Sequence, residues 1–202
     1  MIKLLNKQSF CQTKAKDFAG EVEDDGEFED DKEANAVLEE DEEEEEDEDI
    51  DHDELILGNT TDCILELSRC FGDQFASLLA KLAPALAEYM KDNHPPRDRS
   101  MAIGCLAEIF NQCPAALPTY FDHYFAIVMK NAEKPDPALN RNIAYSLAVL
   151  LEVGQNLIVP HVDRILQTLN FIYEKSEEKD AKENVIAAIC RVIQHHNHPQ
   201  AS

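Results

Sequence analysis

The sequence predicts an all-α chain, an α-solenoid of stacked helix pairs carrying a disordered acidic insertion. Three segments, Ser100–Ile109, Asn142–Leu151 and Asn184–Ile193, repeat without a gap at a spacing of 42 residues. From residue 55 onward, apolar residues recur at helical intervals between proline-rich or charged turns. The acidity of the chain, by contrast, is gathered into one stretch that has too few apolar residues to form a core.

Reading down the columns of the repeat, Ala102, Ala144 and Ile186 align, as do Cys105, Leu147 and Ile189. So do Leu106, Ala148 and Cys190, then Ile109, Leu151 and Ile193. A fainter fourth copy lies one step earlier, with Cys63, Ile64 and Leu67 in the same columns. A helical period of about 40–47 residues is that of HEAT and armadillo arrays. Such arrays stack helix pairs, here termed A and B, into binding surfaces rather than catalytic pockets.

The elements follow in order. Residues 1–19 carry a thin apolar stripe (Ile2, Leu4, Leu5, Phe10, Phe18) and read as a partial A helix of the first repeat. Residues 20–54 read as a disordered loop inserted in the turn between that helix and its B partner. The block 55–202 is the HEAT-repeat solenoid. Thr60 or Thr61 is expected to cap a helix ending at Phe71, before Gly72 and Asp73. Phe75 to Tyr89 forms the next helix, with Pro84 expected to kink it. Asp98 is expected to cap a helix reaching Gln112, and Pro118 opens another. A further helix runs from about Ala138 to Val153, and Pro160 opens the one after it. The last spans about Ala181 to His195. The complete pairs are 75–112, 118–153 and 158–195. Neither end reads as a polar cap, so the chain is expected to be a slice of a longer array.

Net charge is −23, and its distribution bounds the partners. Residues 1–20 carry +3, residues 21–54 carry −22 and residues 55–202 carry −4. From Glu39 to Glu54 only Ile50 and His52 are not acidic. An anionic block of this kind repels nucleic acid and anionic membrane and attracts basic polypeptides. No apolar run approaches the roughly 20 residues that span a bilayer, so no membrane insertion is expected. Six cysteines include no Cys-x-x-Cys pair. Cys63, Cys105 and Cys190 stand in apolar columns and are expected to be small buried hydrophobes in a reducing compartment.

Specific resemblance begins at Asp136-Pro137-Ala138-Leu139-Asn140-Arg141, which is similar to the HEAT signature of an Asp-Pro turn followed by an early Arg in the second helix. Arg99 shares the column of Arg141, whereas Glu183 departs from it. The ordered set Phe75–Leu79, Arg99–Ile109, Arg141–Gly154 and Lys182–Cys190 resembles the importin-β (karyopherin-β) family of nuclear transport receptors. Closest in style are the C-terminal repeats of the importin-four and importin-five type. The resemblance implies basic cargo of the histone or ribosomal-protein kind, contact with phenylalanine-glycine repeats of nucleoporins, and a Ran-GTP cycle. It places the protein in cytoplasm and nucleus, including the nuclear pore. Ran binding in such receptors centres on N-terminal repeats, so that partner is expected to act through a longer parent. The rival readings are a generic HEAT scaffold or regulatory subunit, and an acidic histone-binding chaperone.

Candidate cargo-binding residues are Asp41, Glu42, Glu43, Glu44, Glu45, Glu46, Asp47, Glu48 and Asp49, joined by Glu66 and Glu108, which share a column on B helices. Tyr120, Phe121, Tyr124 and Phe125 crowd one helix. They are expected mainly to fill the space between repeats, with one or two lining a shallow pocket for a partner Phe. His195, His196 and His198 read as a polar tail rather than a metal site. With no phosphate loop, no Ser-His-Asp set and no His-Glu-x-x-His motif, neither enzymatic activity nor a cofactor is expected.

Overall fold

The computed structural model describes residues 1–8, 55–134 and 136–196. Within these the regular structure is helical: α1 (Ile2–Leu5), α2 (55–71), α3 (Ala76–Tyr89), α4 (Pro96–Gln112) and α5 (Leu117–Ala132). Then come α6 (Pro137–Val153), a single turn α7 (Gln155–Ile158), α8 (Val162–Lys175) and α9 (Lys179–His196). Short 3₁₀ turns at Gly72–Phe75, Pro114–Ala116 and Val159–His161 lead into α3, α5 and α8. The chain divides into two compact units, Met1–Thr60 and Thr61–Ser202. In the first, Leu5 and Leu57 are buried.

The second unit is a two-layer stack of antiparallel-type pairs, α3 with α4, α5 with α6 and α8 with α9. The B-type helices make its principal packing, α6 lying between α4 and α9. That position explains the sequence of α6, in which Leu139, Ile143, Ala144 and the run Leu147–Leu151 are all buried. A helix apolar nearly all round is one covered on several sides. Its start is set by Asp136, whose carboxylate accepts the Ala138 amide at 3.0 Å. That is the N-cap arrangement expected of Asp before a first-position proline. Its end is set by Gly154, where an added Cβ would lie 2.4 Å from the Leu150 carbonyl oxygen. The backbone there is ordinary right-handed (φ −72°), so close approach and not torsion demands glycine.

Several expectations are corrected. Helix α2 is already formed at residue 55, so Thr60 and Thr61 are buried interior positions and not caps. Pro84, where a kink is expected, lies inside α3, as the sequence placed it. Helix α4 begins at Pro96 with Pro95 as its cap residue, which leaves Asp98 in the first turn. Fixed proline φ suits a helix start and needs no side-chain cap. Cys105 is buried as expected, but Cys63 and Cys190 are exposed.

Candidate functional site

Two surfaces of the second unit gather the candidate residues. The first runs across the B helices. Glu66 of α2 is open to solvent, with a side-chain exposure of 68%, and its Oε1 holds Arg69 Nη1 at 2.6 Å. The other arm of Arg69 reaches Glu108 Oε1 on α4 at 3.3 Å. The two acidic residues singled out from the repeat are therefore brought together through a cation between them. Glu108 is differently placed from Glu66, with 17% side-chain exposure. It also accepts Gln112 Nε2 at 3.2 Å and the hydroxyl of Tyr145 on α6. Burial pushes its carboxyl upward, but the bonds from Tyr145, Arg69 and Gln112 outweigh that and hold it below the usual value. The Tyr145 hydroxyl is pushed up, by burial first and by the Glu108 bond second. Farther along, Arg191 Nε on α9 meets Glu152 Oε2 on α6 at 2.6 Å. The remaining acidic candidates, Asp41 to Asp49, lie outside the described residues, as do the loop 20–54, most of the 1–19 segment and the chain end that includes His198.

At the opposite ends of the same helices the layer is tied by asparagine. Asn142 Nδ2 donates to the Ser100 carbonyl at 3.0 Å and lies 2.9 Å from its hydroxyl. One repeat on, Asn184 Nδ2 donates to the Arg141 carbonyl at 3.1 Å. Ser100, Asn142 and Asn184 head the three aligned segments, so a polar residue at the top of each apolar block was the available signal for this tie. Gly104 makes room for it, since a Cβ there would stand 3.0 Å from Asn142 Cγ. The Arg69, Tyr145 and Glu152–Arg191 links leave no such trace, because their partners are 37 or 39 residues apart and so fall in different columns.

The second surface is an apolar groove of about 210 Å³ between α3 and α5. Ala80, Ala83, Pro84 and Ala87 form one wall, and Phe110 and Tyr120 stand across from them. The small alanines leave the space. Tyr120 is half-buried and 6.2 Å from Phe110, centroid to centroid. The other three aromatic residues of the cluster are core. Phe121 and Phe125 stack at 5.5 Å and flank His161. Tyr124 is fully buried, its hydroxyl 2.9 Å from both the Ile103 carbonyl and the Ser146 hydroxyl. Of the four, Tyr120 and Tyr124 line the groove, and Tyr120 is the one that is only half-buried there.

Among the described residues no group of His, Cys, Asp or Glu is placed to hold a metal ion, and no helix is long and apolar enough to cross a membrane.

No protein-family model matches the chain. It is 25% identical over 195 residues to a probable importin subunit beta-4 of Schizosaccharomyces pombe, an alignment covering 96% of this chain. It is 26% identical over 143 residues, 70% of the chain, to human importin-4. Mouse transportin-1 matches at 23% over 109 residues, 54% of the chain. The chain spans 17% of the yeast relative, 13% of the human one and 12% of transportin-1.

Proposed function

We propose, on the premise that the chain is a relative of the importin-β family, that it works within a nuclear import receptor. In that role it binds basic cargo of the histone or ribosomal-protein type and takes part in passage through the nuclear pore. The observation that carries this reading is the groove between α3 and α5, where Tyr120 and Phe110 face a wall of alanines across a space suited to one aromatic ring. It is a seat for the Phe of a phenylalanine-glycine repeat. Basic cargo is met by the acidic stretch Asp41–Asp49 and, on the B-helix surface, by Glu66. Glu108 serves there by holding Arg69 rather than by meeting cargo. Each exposed pair contributes under about 1 kcal/mol, so affinity comes from many contacts and falls with salt. Ran-GTP acts through the longer receptor, and the protein moves between cytoplasm and nucleus.

The reading is tested with a phenylalanine-glycine peptide followed by fluorescence anisotropy. Binding is expected and is lost in Tyr120→Asp, whose helix content stays unchanged. A peptide that binds both proteins alike rules out the groove. Separately, a pull-down of the longer receptor with GTP-loaded and GDP-loaded Ran decides the transport cycle, and equal capture of both forms counts against it.

A further inference from the structure

The turns at the two ends of the helices differ in chemistry. Those within a pair, around residues 91–99, 133–141 and 174–183, are crowded with charge. The links between pairs are not, since residues 113–121 and 153–162 hold no Asp, Glu, Lys or Arg. A cleft of about 310 Å³ opens between those two links. Pro114, Ala115 and Pro118 line one side of it, and Val153, Gln155 and Leu157 the other. Its walls are the links from α4 to α5 and from α6 to α8, so neither wall is an end of the stack.

The opening follows from a longer link. Cys113–Ala116 joins α4 to α5, whereas Gly154–His161 is longer and includes the single turn α7. The extra turn leaves Leu157 39% and Val159 55% exposed. One repeat earlier the matching links are tied, Asp73 Oδ1 accepting the Ala115 amide at 3.4 Å. Ala115 itself stands in the column of Asp73, so no carboxylate ties the later pair of links. Gln155 is an independent observation. Its φ is +45°, a left-handed torsion that strains a residue with a β-carbon and that glycine adopts freely. Glycine stands one place earlier, and the strained place goes to an amide side chain lining the cleft. Strain of this kind collects where a side chain is used for binding.

These walls select a ligand. A charged group entering the cleft would lose water and meet no counter-charge, which is costly. The prolines, Val153 and Leu157 offer apolar area. The amides of Gln155 and Asn156 both donate and accept, as a peptide main chain requires. We propose that the cleft binds an extended, uncharged peptide segment of another protein. One aliphatic side chain packs against Leu157, and the main chain is held by Gln155 and Asn156. This site goes beyond the transport reading and stands without it.

The test uses the whole chain, isotope-labelled, and a blocked peptide of alternating Leu and Ser. In an NMR titration the side-chain amide signals of Gln155 and Asn156 and the methyl signals of Leu157 are expected to move and saturate. The dissociation constant should be of about millimolar order, as suits one shallow cleft. Leu157→Asp is expected to weaken binding roughly tenfold. Gln155→Gly should weaken it about threefold, while the thermal midpoint holds or rises because the strain is relieved. A peptide with Asp in place of Ser should not bind, and added salt should not weaken the Ser peptide. Signals that stay still, equal binding of both peptides, binding that falls with salt, or a Gln155→Gly protein that binds as tightly as the original would each overturn the proposal.

Discussion

Asn142 donates from one nitrogen to the backbone carbonyl of Ser100, 42 residues earlier, at 3.0 Å. That separation equals the repeat period, so the bond joins equivalent positions of successive B helices. Replacing Asn142 by Ala removes it, at a cost of about 1 kcal/mol. Gly104→Ala pushes a methyl to within 3.0–3.3 Å of the same side chain, so the amide must give way. A double-mutant cycle by urea denaturation should show that the two costs do not add, because Asn142→Ala frees the space that the methyl needs.

Tyr124→Phe should lower stability by about 1–2 kcal/mol with little change in helix content, as measured by thermal unfolding. The hydroxyl it removes bridges α4 and α6 from a third helix, through Ile103 and Ser146.

Stability should also fall at alkaline pH. Burial pushes the Cys105 thiol up to about 12 and raises the Tyr124 hydroxyl above its ordinary 10.0. In each case the folded state holds its proton more tightly, so stability is full below the unfolded value. It declines from about pH 9 upward, as the unfolded chain ionises first. Cys105→Ala should flatten the onset of that decline, read from urea midpoints between pH 8 and pH 11.

At the acid end the sign is reversed for Glu108. Its carboxyl is held below the ordinary 4.5, so its contribution is present above that value and is lost as pH falls below it. Glu108→Ala should cost about 1–2 kcal/mol at neutral pH, with the cost shrinking below about pH 4. An equal cost at pH 3 and pH 7 would show that packing, not charge, is responsible.

Gly154→Ala places a methyl 2.4 Å from the Leu150 carbonyl oxygen and 3.0 Å from Ile158 Cβ. The α6 terminus must shift to admit it, and thermal unfolding should register a loss of about 1–3 kcal/mol.

The helix pairs were legible because burial imposes a 3.6-residue pattern on each helix and stacking imposes a 42-residue pattern on the set. Side-chain burial was less legible. Cys63 and Cys190 occupy the same kind of apolar column as Cys105, yet only Cys105, on α4 beside α6, is buried. Periodicity reports which face a helix would bury and says nothing about whether anything is there to cover it. The start of α4 was misplaced for a local reason: Asp98 is a good capping residue, but Pro96, with its φ fixed, already opens the helix at the first position. Among the candidate residues, Glu66 and Glu108 share a column and differ in exposure, Tyr145 and Gln112 closing around only the second. Column matching groups residues by backbone position, and long side chains reach across columns.

The two ends of the B-helix layer are fastened by a different balance of forces: charge pairs prevail at one, while at the other a single exposed pair, Arg141–Asp180 at 3.7 Å, accompanies the amides. Near the helix starts, the amides of Asn142 and Asn184 grip neighbouring carbonyls, bonds that dissolved ions scarcely weaken. Near the far ends, Arg69–Glu108 and Arg191–Glu152 are charge pairs at the surface, which ions screen within a Debye length of about 8–10 Å. The layer is thus a fan riveted along one edge and held by weaker catches along the other. Screening therefore loosens the catches more than the rivets, and salt bears mainly on one side of the stack.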